Sequence, residues 1–132
     1  MSTIFSKIIS GEIPCFKVAE DEQHLAFLDI NPVAFGHTLV IPKREIDYYF
    51  DLDDEEIARL MIFSKKVALA LKSVVPCTKI GISVIGLEVP HTHVHLVPIN
   101  AIADMTFGKK IEISIDELTK LASQLADKIK IS

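Results

Sequence analysis

The segment His91-Thr92-His93-Val94-His95-Leu96-Val97-Pro98 alternates histidine with Thr92, Val94 and Leu96. Period two belongs to a β-strand, whose successive side chains point to opposite faces, so the three imidazoles share one face while the residues between them turn to a core. Residues 80–85 alternate in the same manner and connect to 92–97 through Gly86 and Pro90, which predicts two neighbouring strands. Upstream of them the period changes to 3.6. Ile57, Leu60, Met61, Ser64, Val67, Ala68 and Leu71 fall on one face of a long helix that Asp53 caps, with Glu56 at the capping-box position and Pro76 closing it by about Val75. Three β-type runs precede that helix, Phe16–Ala19, His24–Ile30 and His37–Ile41, divided by Glu20-Asp21-Glu22 and Asn31-Pro32. A short opening helix over residues 4–9 stops at Gly11. A second amphipathic helix starts at Ser114, with Glu117 three residues on and Ile115, Leu118, Leu121, Ala122, Leu125 and Ile129 directed inward. Strands on both sides of a central helix, without regular βαβ alternation, give an α+β domain around an antiparallel sheet.

The 132 residues are 49% hydrophobic and 24% charged, enough for one domain with its own core and too few for two. A net charge of −4, with Lys and Arg scattered along the chain, argues against an extended nucleic-acid contact and leaves room for a small anion held locally. Cys15 and Cys77 form no C-x-x-C pair and read as reduced packing thiols of a cytoplasmic protein. No apolar run approaches the about 18 residues of a membrane helix, and the N-terminus lacks the pattern of an export signal.

Three histidines in strict alternation admit three readings: a solvated strand face, a metal site, or nucleophilic catalysis. For metal, His91 and His95 would have Cα atoms about 13 Å apart on an extended strand, a poor span for one zinc ion, although His37 or His24 could complete a two-histidine site from another strand. For catalysis, an imidazole with an ordinary pKa of about 6.5 is largely neutral at pH 7 and can attack phosphorus, while a protonated neighbour supplies positive charge and a proton. The middle histidine has a neighbour on either side, which favours His93 as the nucleophile.

At these residues the chain resembles the histidine triad (HIT) family, whose signature is His-φ-His-φ-His-φ-φ with φ apolar; Thr92 is the one polar intruder. Ile4–Ile9, Gly11-Glu12-Ile13-Pro14, Leu25–Pro32 and Gly36–Lys43 look like further family blocks, so the likeness covers about residues 3–98, and 99–132 form a divergent C-terminal extension of a single domain. The resemblance implies a five-stranded antiparallel sheet, and a homodimer with a continuous ten-stranded sheet. It also implies a purine nucleotide substrate and a nucleotidyl-histidine intermediate on His93, with no cofactor and no catalytic metal. His91 would orient His93, and His95 would meet the phosphate and protonate the leaving group. His37 matches the family's upstream histidine. Asp29 matches an acid that binds ribose hydroxyls, though an Asp before Asn31-Pro32 also suits a turn. Ile4, Phe5, Ile8, Ile30 and Leu39 fall on positions of an apolar slot for the base, and each could equally be core. His24 matches no family site and is read as a surface residue.

The chain also departs from the family. A zinc-binding C-x-x-C of many relatives is replaced by Thr3 and Ser6, and the loop Ser83–Pro90 keeps Gly86 but lacks the usual polar side chains that touch phosphate. Backbone amides near Glu88 and Val89 could take their place, whereas an inward Glu88 carboxylate would repel the phosphate. The leading expectation is a Hint-like hydrolase or transferase that cleaves a nucleoside monophosphate from a P–N or P–O linked leaving group. A non-catalytic nucleotide-binding module and a histidine metal-binding protein are the alternatives.

Overall fold

Thr3 starts the first helix by accepting the Ser6 N–H on its side-chain oxygen at 3.0 Å, and α1 (Ile4–Ser10) runs to Gly11, whose φ of 86° ends it in the left-handed region. The computed structural model of the chain describes residues 3–129. Five strands follow in the order β1 (Lys17–Glu20), β2 (His24–Leu28), β3 (Thr38–Pro42), β4 (Lys79–Ser83) and β5 (Val94–Ile99). They form one antiparallel sheet ordered β1-β2-β3-β5-β4, in which β1 to β3 are the expected meander. Between β3 and β4 lies α2 (Asp54–Val74); after β5 come a short 3-10 turn (Ile102–Met105) and α3 (Ile115–Lys128). Both long helices carry the predicted capping boxes, Asp53 with Glu56 and Ser114 with Glu117.

The sheet is covered on both faces, and register assigns the residues. Ala26 pairs with Val40 and Val40 with Val94, and this set faces α2 and α3 together with Leu28 and Leu96. Phe27 pairs with Leu39 and Leu39 with His95, and this set faces α1, joined by Phe5, Leu25 and Ile41. Each fully buried Leu, Ile or Phe contributes about 1.5–3 kcal/mol relative to exposure.

Several expectations need correction. β5 begins at Val94, so His91 and His93 lie in an extended segment ahead of the strand and only His95 is within it. The ladder to β3 ends at Val40↔Val94, and the chain beyond is held instead by the Thr92 N–H donating to the Ile46 carbonyl at 2.7 Å. The run read as His24–Ile30 ends at Leu28, and the run read as 80–85 ends at Ser83. The buried stripe of α2 is wider than its sequence pattern, adding Phe63 and Ala70, because the helix packs on both the sheet and α3. Ile115 is 71% exposed, since the first turn of α3 precedes the stripe of Leu118, Leu121, Ala122 and Leu125 that meets the sheet. His24 is buried rather than on the surface. It shares parity with Ala26 and Leu28, stacks on Phe63 of α2 at 5.0 Å, and meets the Asp21 carboxylate at 3.0 Å through Nδ1.

Candidate active site

Parity along two chain segments gathers the histidines. His37 stands two residues before Leu39, and His91 and His93 stand four and two before His95, so all four lie on the α1 side of the sheet even where the backbone is no longer paired. All four are buried. The rings of His93 and His95 are 4.9 Å apart and those of His37 and His95 5.2 Å. Phe5 of α1 packs edge-on against His93 at 5.0 Å and His91 at 5.8 Å, while Phe107 packs against His95 at 4.6 Å and His37 at 6.0 Å. The imidazole row therefore runs from one phenylalanine to the other.

Hydrogen bonds to groups of fixed polarity set the protons. The Pro42 carbonyl can only accept, so His91 carries its hydrogen on Nε2 and donates it at 2.8 Å; its Nδ1 then accepts from the Thr3 hydroxyl at 3.2 Å. The His91 carbonyl accepts from Nδ1–H of His93 at 2.7 Å, which leaves a lone pair on Nε2 of the neutral His93 ring. The Val33 N–H donates to Nδ1 of His37 at 3.1 Å, so His37 keeps its hydrogen on Nε2 and donates to Nδ1 of His95 at 2.9 Å. His95 is left with an N–H on Nε2. A lone-pair nitrogen on His93 and an N–H donor on His95 thus stand on adjacent rings.

Burial sets the charge. It pushes the pKa of His91 and of His37 down, and takes His95 down to about 3, with the proximity of His93 and His37 adding to the shift. The expectation of a protonated neighbour is therefore corrected: His95 is a neutral donor. His91 meets His93 through its backbone carbonyl, while its ring lies behind the site, against Pro42 and Thr3.

A cavity of about 250 Å³ opens over this row. Its lining includes His37, His93 and His95, Asp29, and Ile4, Phe5, Ile8, Ile30, Leu39, Glu88 and Val89; of the residues singled out from sequence, only His91 is absent. Ile4 and Ile30 line it while remaining 48% and 65% exposed, so they are rim rather than core. Asp29 serves two ends: Oδ1 accepts the Asn31 N–H at 2.8 Å, the turn role, and Oδ2 lies 3.7 Å from Nε2 of His37. Sequence reasoning missed Phe107, Gly108 and Lys110, which come from the segment after β5, and Phe27, whose parity with Leu25 was a usable signal. Asp29, His37 and His95 each bring a ligand-type atom within 4.8 Å of the others, a set that could hold a divalent cation only by giving up the His37–His95 hydrogen bond.

Comparison with known proteins agrees with this geometry. The HIT domain model matches residues 10–102. An uncharacterized HIT-like protein of Borreliella burgdorferi is 38% identical over 132 residues, covering 93% of this chain and 95% of its own. The adenosine 5'-monophosphoramidase of Schizosaccharomyces pombe is 37% identical over 134 residues, covering 98% of this chain and 100% of its own. A crystal structure of a Hit-like protein involved in cell-cycle regulation from Bartonella henselae superposes with a TM-score of 0.83 at 30% identity over 96% of each chain. With the family model spanning most of its length, and its five-stranded sheet matching that of a solved member, the chain belongs to the histidine triad family of nucleotide-binding proteins and hydrolases.

Proposed function

We propose that this chain cleaves a nucleoside monophosphate from a P–N or P–O linked leaving group through a nucleotidyl-histidine formed on His93. The observation that carries this reading is the pairing, in one cavity, of the His93 lone pair with the N–H of His95. Nε2 of His93 attacks the α-phosphorus; the Nε2–P bond forms as the bond from phosphorus to the leaving atom breaks, and the leaving atom, held by a hydrogen bond from His95 Nε2–H, takes its proton from solvent. Water then adds to phosphorus and gives its proton to solvent as the P–N bond to His93 breaks, releasing the monophosphate. A non-water acceptor in the second half would make the enzyme a transferase. His37 holds the proton position of His95, Asp29 is assigned to the ribose hydroxyls, and Ile4, Phe5, Ile8, Ile30 and Leu39 form the slot for a purine. Backbone amides at Glu88 and Val89, which line the cavity, are assigned to the phosphate. Similarity to the fission yeast phosphoramidase supports an adenosine phosphoramidate as one substrate.

Incubation with an adenosine phosphoramidate and with a diadenosine polyphosphate is expected to release AMP from at least one, and acid quenching should trap the nucleotide on His93. His93→Asn should lower turnover at least about 10³-fold while still binding AMP. No turnover of either substrate by folded protein would sink the proposal.

We also propose that the working form is a pair of identical chains joined along β4. Among the described residues this strand pairs only with β5, and Ile82 on it, with Ile62 and Leu69 on α2, leaves apolar surface more than half exposed. The two free cysteines support a cytoplasmic setting.

A further inference from the structure

His24 takes no part in the site above. It stands on β2 with Ala26 and Leu28 and stacks on Phe63 of α2, on the face of the sheet opposite to His93. Both oxygens of the Asp21 carboxylate meet its Nδ1, at 3.0 and 3.1 Å, and an ionised carboxylate only accepts, so the ring hydrogen sits on Nδ1 and Nε2 is left without a role. Asp21 is itself held by the backbone N–H groups of Gln23 and His24, at 2.8 and 2.7 Å. Among the described residues Nε2 has no hydrogen-bond partner, whereas every fully enclosed side-chain nitrogen or oxygen has one. His24 is only 5% exposed, and what Nε2 opens onto is a second cavity, of about 190 Å³, that His24 helps to line.

The walls of this cavity are charged. Lys43 and Arg44 come from just past β3, Arg59 and Glu56 from the first two turns of α2, and Glu22 from the turn before β2. The Lys43 N–H donates to the Gln23 carbonyl at 2.7 Å, which fixes that stretch beside the turn carrying Asp21 and His24. No residue is shared with the lining of the cavity over His93. Three cations face two carboxylates, so the lining is positive. The partners of these cations are exchangeable: Lys43 meets Glu20 at 2.7 Å and Arg59 meets Glu55 at 3.5 Å, both carboxylates standing outside the lining, and Arg44, more than half exposed, meets Glu56 at 3.4 Å. Ion pairs open to water contribute little, and a ligand with two negative charges replaces them.

We infer that this cavity is a second anion site, fitted to the phosphate group of an orthophosphate ion or a phosphate monoester, with Nε2 of His24 as its buried anchor and Lys43, Arg44 and Arg59 as its cations. A phosphate suits both states of the ring. A P–OH donates to the Nε2 lone pair of the neutral imidazole; the imidazolium, its charge shared with Asp21, donates from Nε2–H to a phosphate oxygen. The guanidinium groups add the planar pairs of donors that match phosphate oxygens. The site is independent of the reading of His93.

The test is nitrogen-15 NMR of the histidine rings in the full chain at constant ionic strength and pH, titrated with inorganic phosphate, methyl phosphate and chloride. Inorganic phosphate should move the His24 Nε2 resonance saturably, with a Kd of about 1 mM or tighter, and chloride should leave it in place. Lys43→Gln combined with Arg59→Gln, at positions outside the core, should weaken binding about tenfold or more while the thermal midpoint shows the chain folded, and Glu22→Gln should tighten it. Methyl phosphate bound as well as inorganic phosphate assigns the cavity to the end of a monoester, and inorganic phosphate bound alone assigns it to the free ion; both uphold the site. Shifts confined to His93 and His95 with His24 unmoved, an equal response to chloride, or unchanged affinity in the double variant overturn the inference.

Discussion

At His91 the side chain and the backbone have separate duties. The ring is buried, donates from Nε2 to the Pro42 carbonyl and accepts at Nδ1 from the Thr3 hydroxyl, which fixes the backbone so that its carbonyl holds the proton of His93. Thr3 is also tied to α1, accepting the Ser6 N–H, while Glu45 accepts from the Thr3 N–H at 3.3 Å and from the Ser6 hydroxyl. Thus Thr3 and Ser6, which stand where many relatives carry a C-x-x-C, form with Glu45 a hydrogen-bonded seat for His91. Thr3→Val keeps the shape, removes the donor, and leaves Nδ1 of His91 buried without a partner. It should cost about 1–3 kcal/mol in chemical denaturation, with Thr3→Ser close to wild type. Equal stability of Thr3→Val and wild type would contradict this seat. The shared face of His91, His93 and His95 was legible in the sequence because it is a property of local extended chain, whereas His37 was placed with them only by resemblance. The partner of His91 was not legible, since Thr3 lies 88 residues away.

Among the elements, the capped helices were the most legible, because a capping box is a contact between residues three apart. Strand ends were less so. β5 loses its first residues to a backbone bond with Ile46, which no periodicity in 91–98 announces. The segment of residues 106–111 was hidden for a similar reason: it has no repeating pattern, and its place over His95 comes from Phe107 packing and a bond to Pro32. β4 is the element that sets the proposed pairing of chains. Light scattering should give the mass of two chains, and Ile82→Lys, a charge on an already exposed edge position, should shift it to one without unfolding the protein. A single-chain mass for wild type would remove the proposal.

For the whole molecule, the site is costly in acid. His95 has its ordinary pKa of 6.5 when unfolded and about 3 when folded, so between those values the unfolded chain binds more protons. Its contribution to stability is complete above about pH 6.5 and is lost as pH falls toward 3; burial gives His37 and His91 the same sign. Thermal midpoints should therefore fall between pH 7 and pH 4, and His95→Gln should flatten part of that slope. A slope identical in wild type and His95→Gln would contradict the assignment of a buried neutral His95. His24 belongs to this scale as well. It was read as surface, yet its parity with Ala26 and Leu28 puts it under α2, where Phe63 and Asp21 occupy it.

By itself the sequence determined the element types, the α+β class and the shared face of His91, His93 and His95, which follow from spacing along a regular chain, while its resemblance to the family pointed to His37, Asp29 and the slot residues of the cavity lining. Only the tertiary structure decided where the protons sit, that His95 is neutral, that His91 acts from behind, and that Phe107 and Lys110 complete the cavity. Those depend on burial and on partners brought together from distant parts of the chain, and neither is encoded in a period of 2 or 3.6.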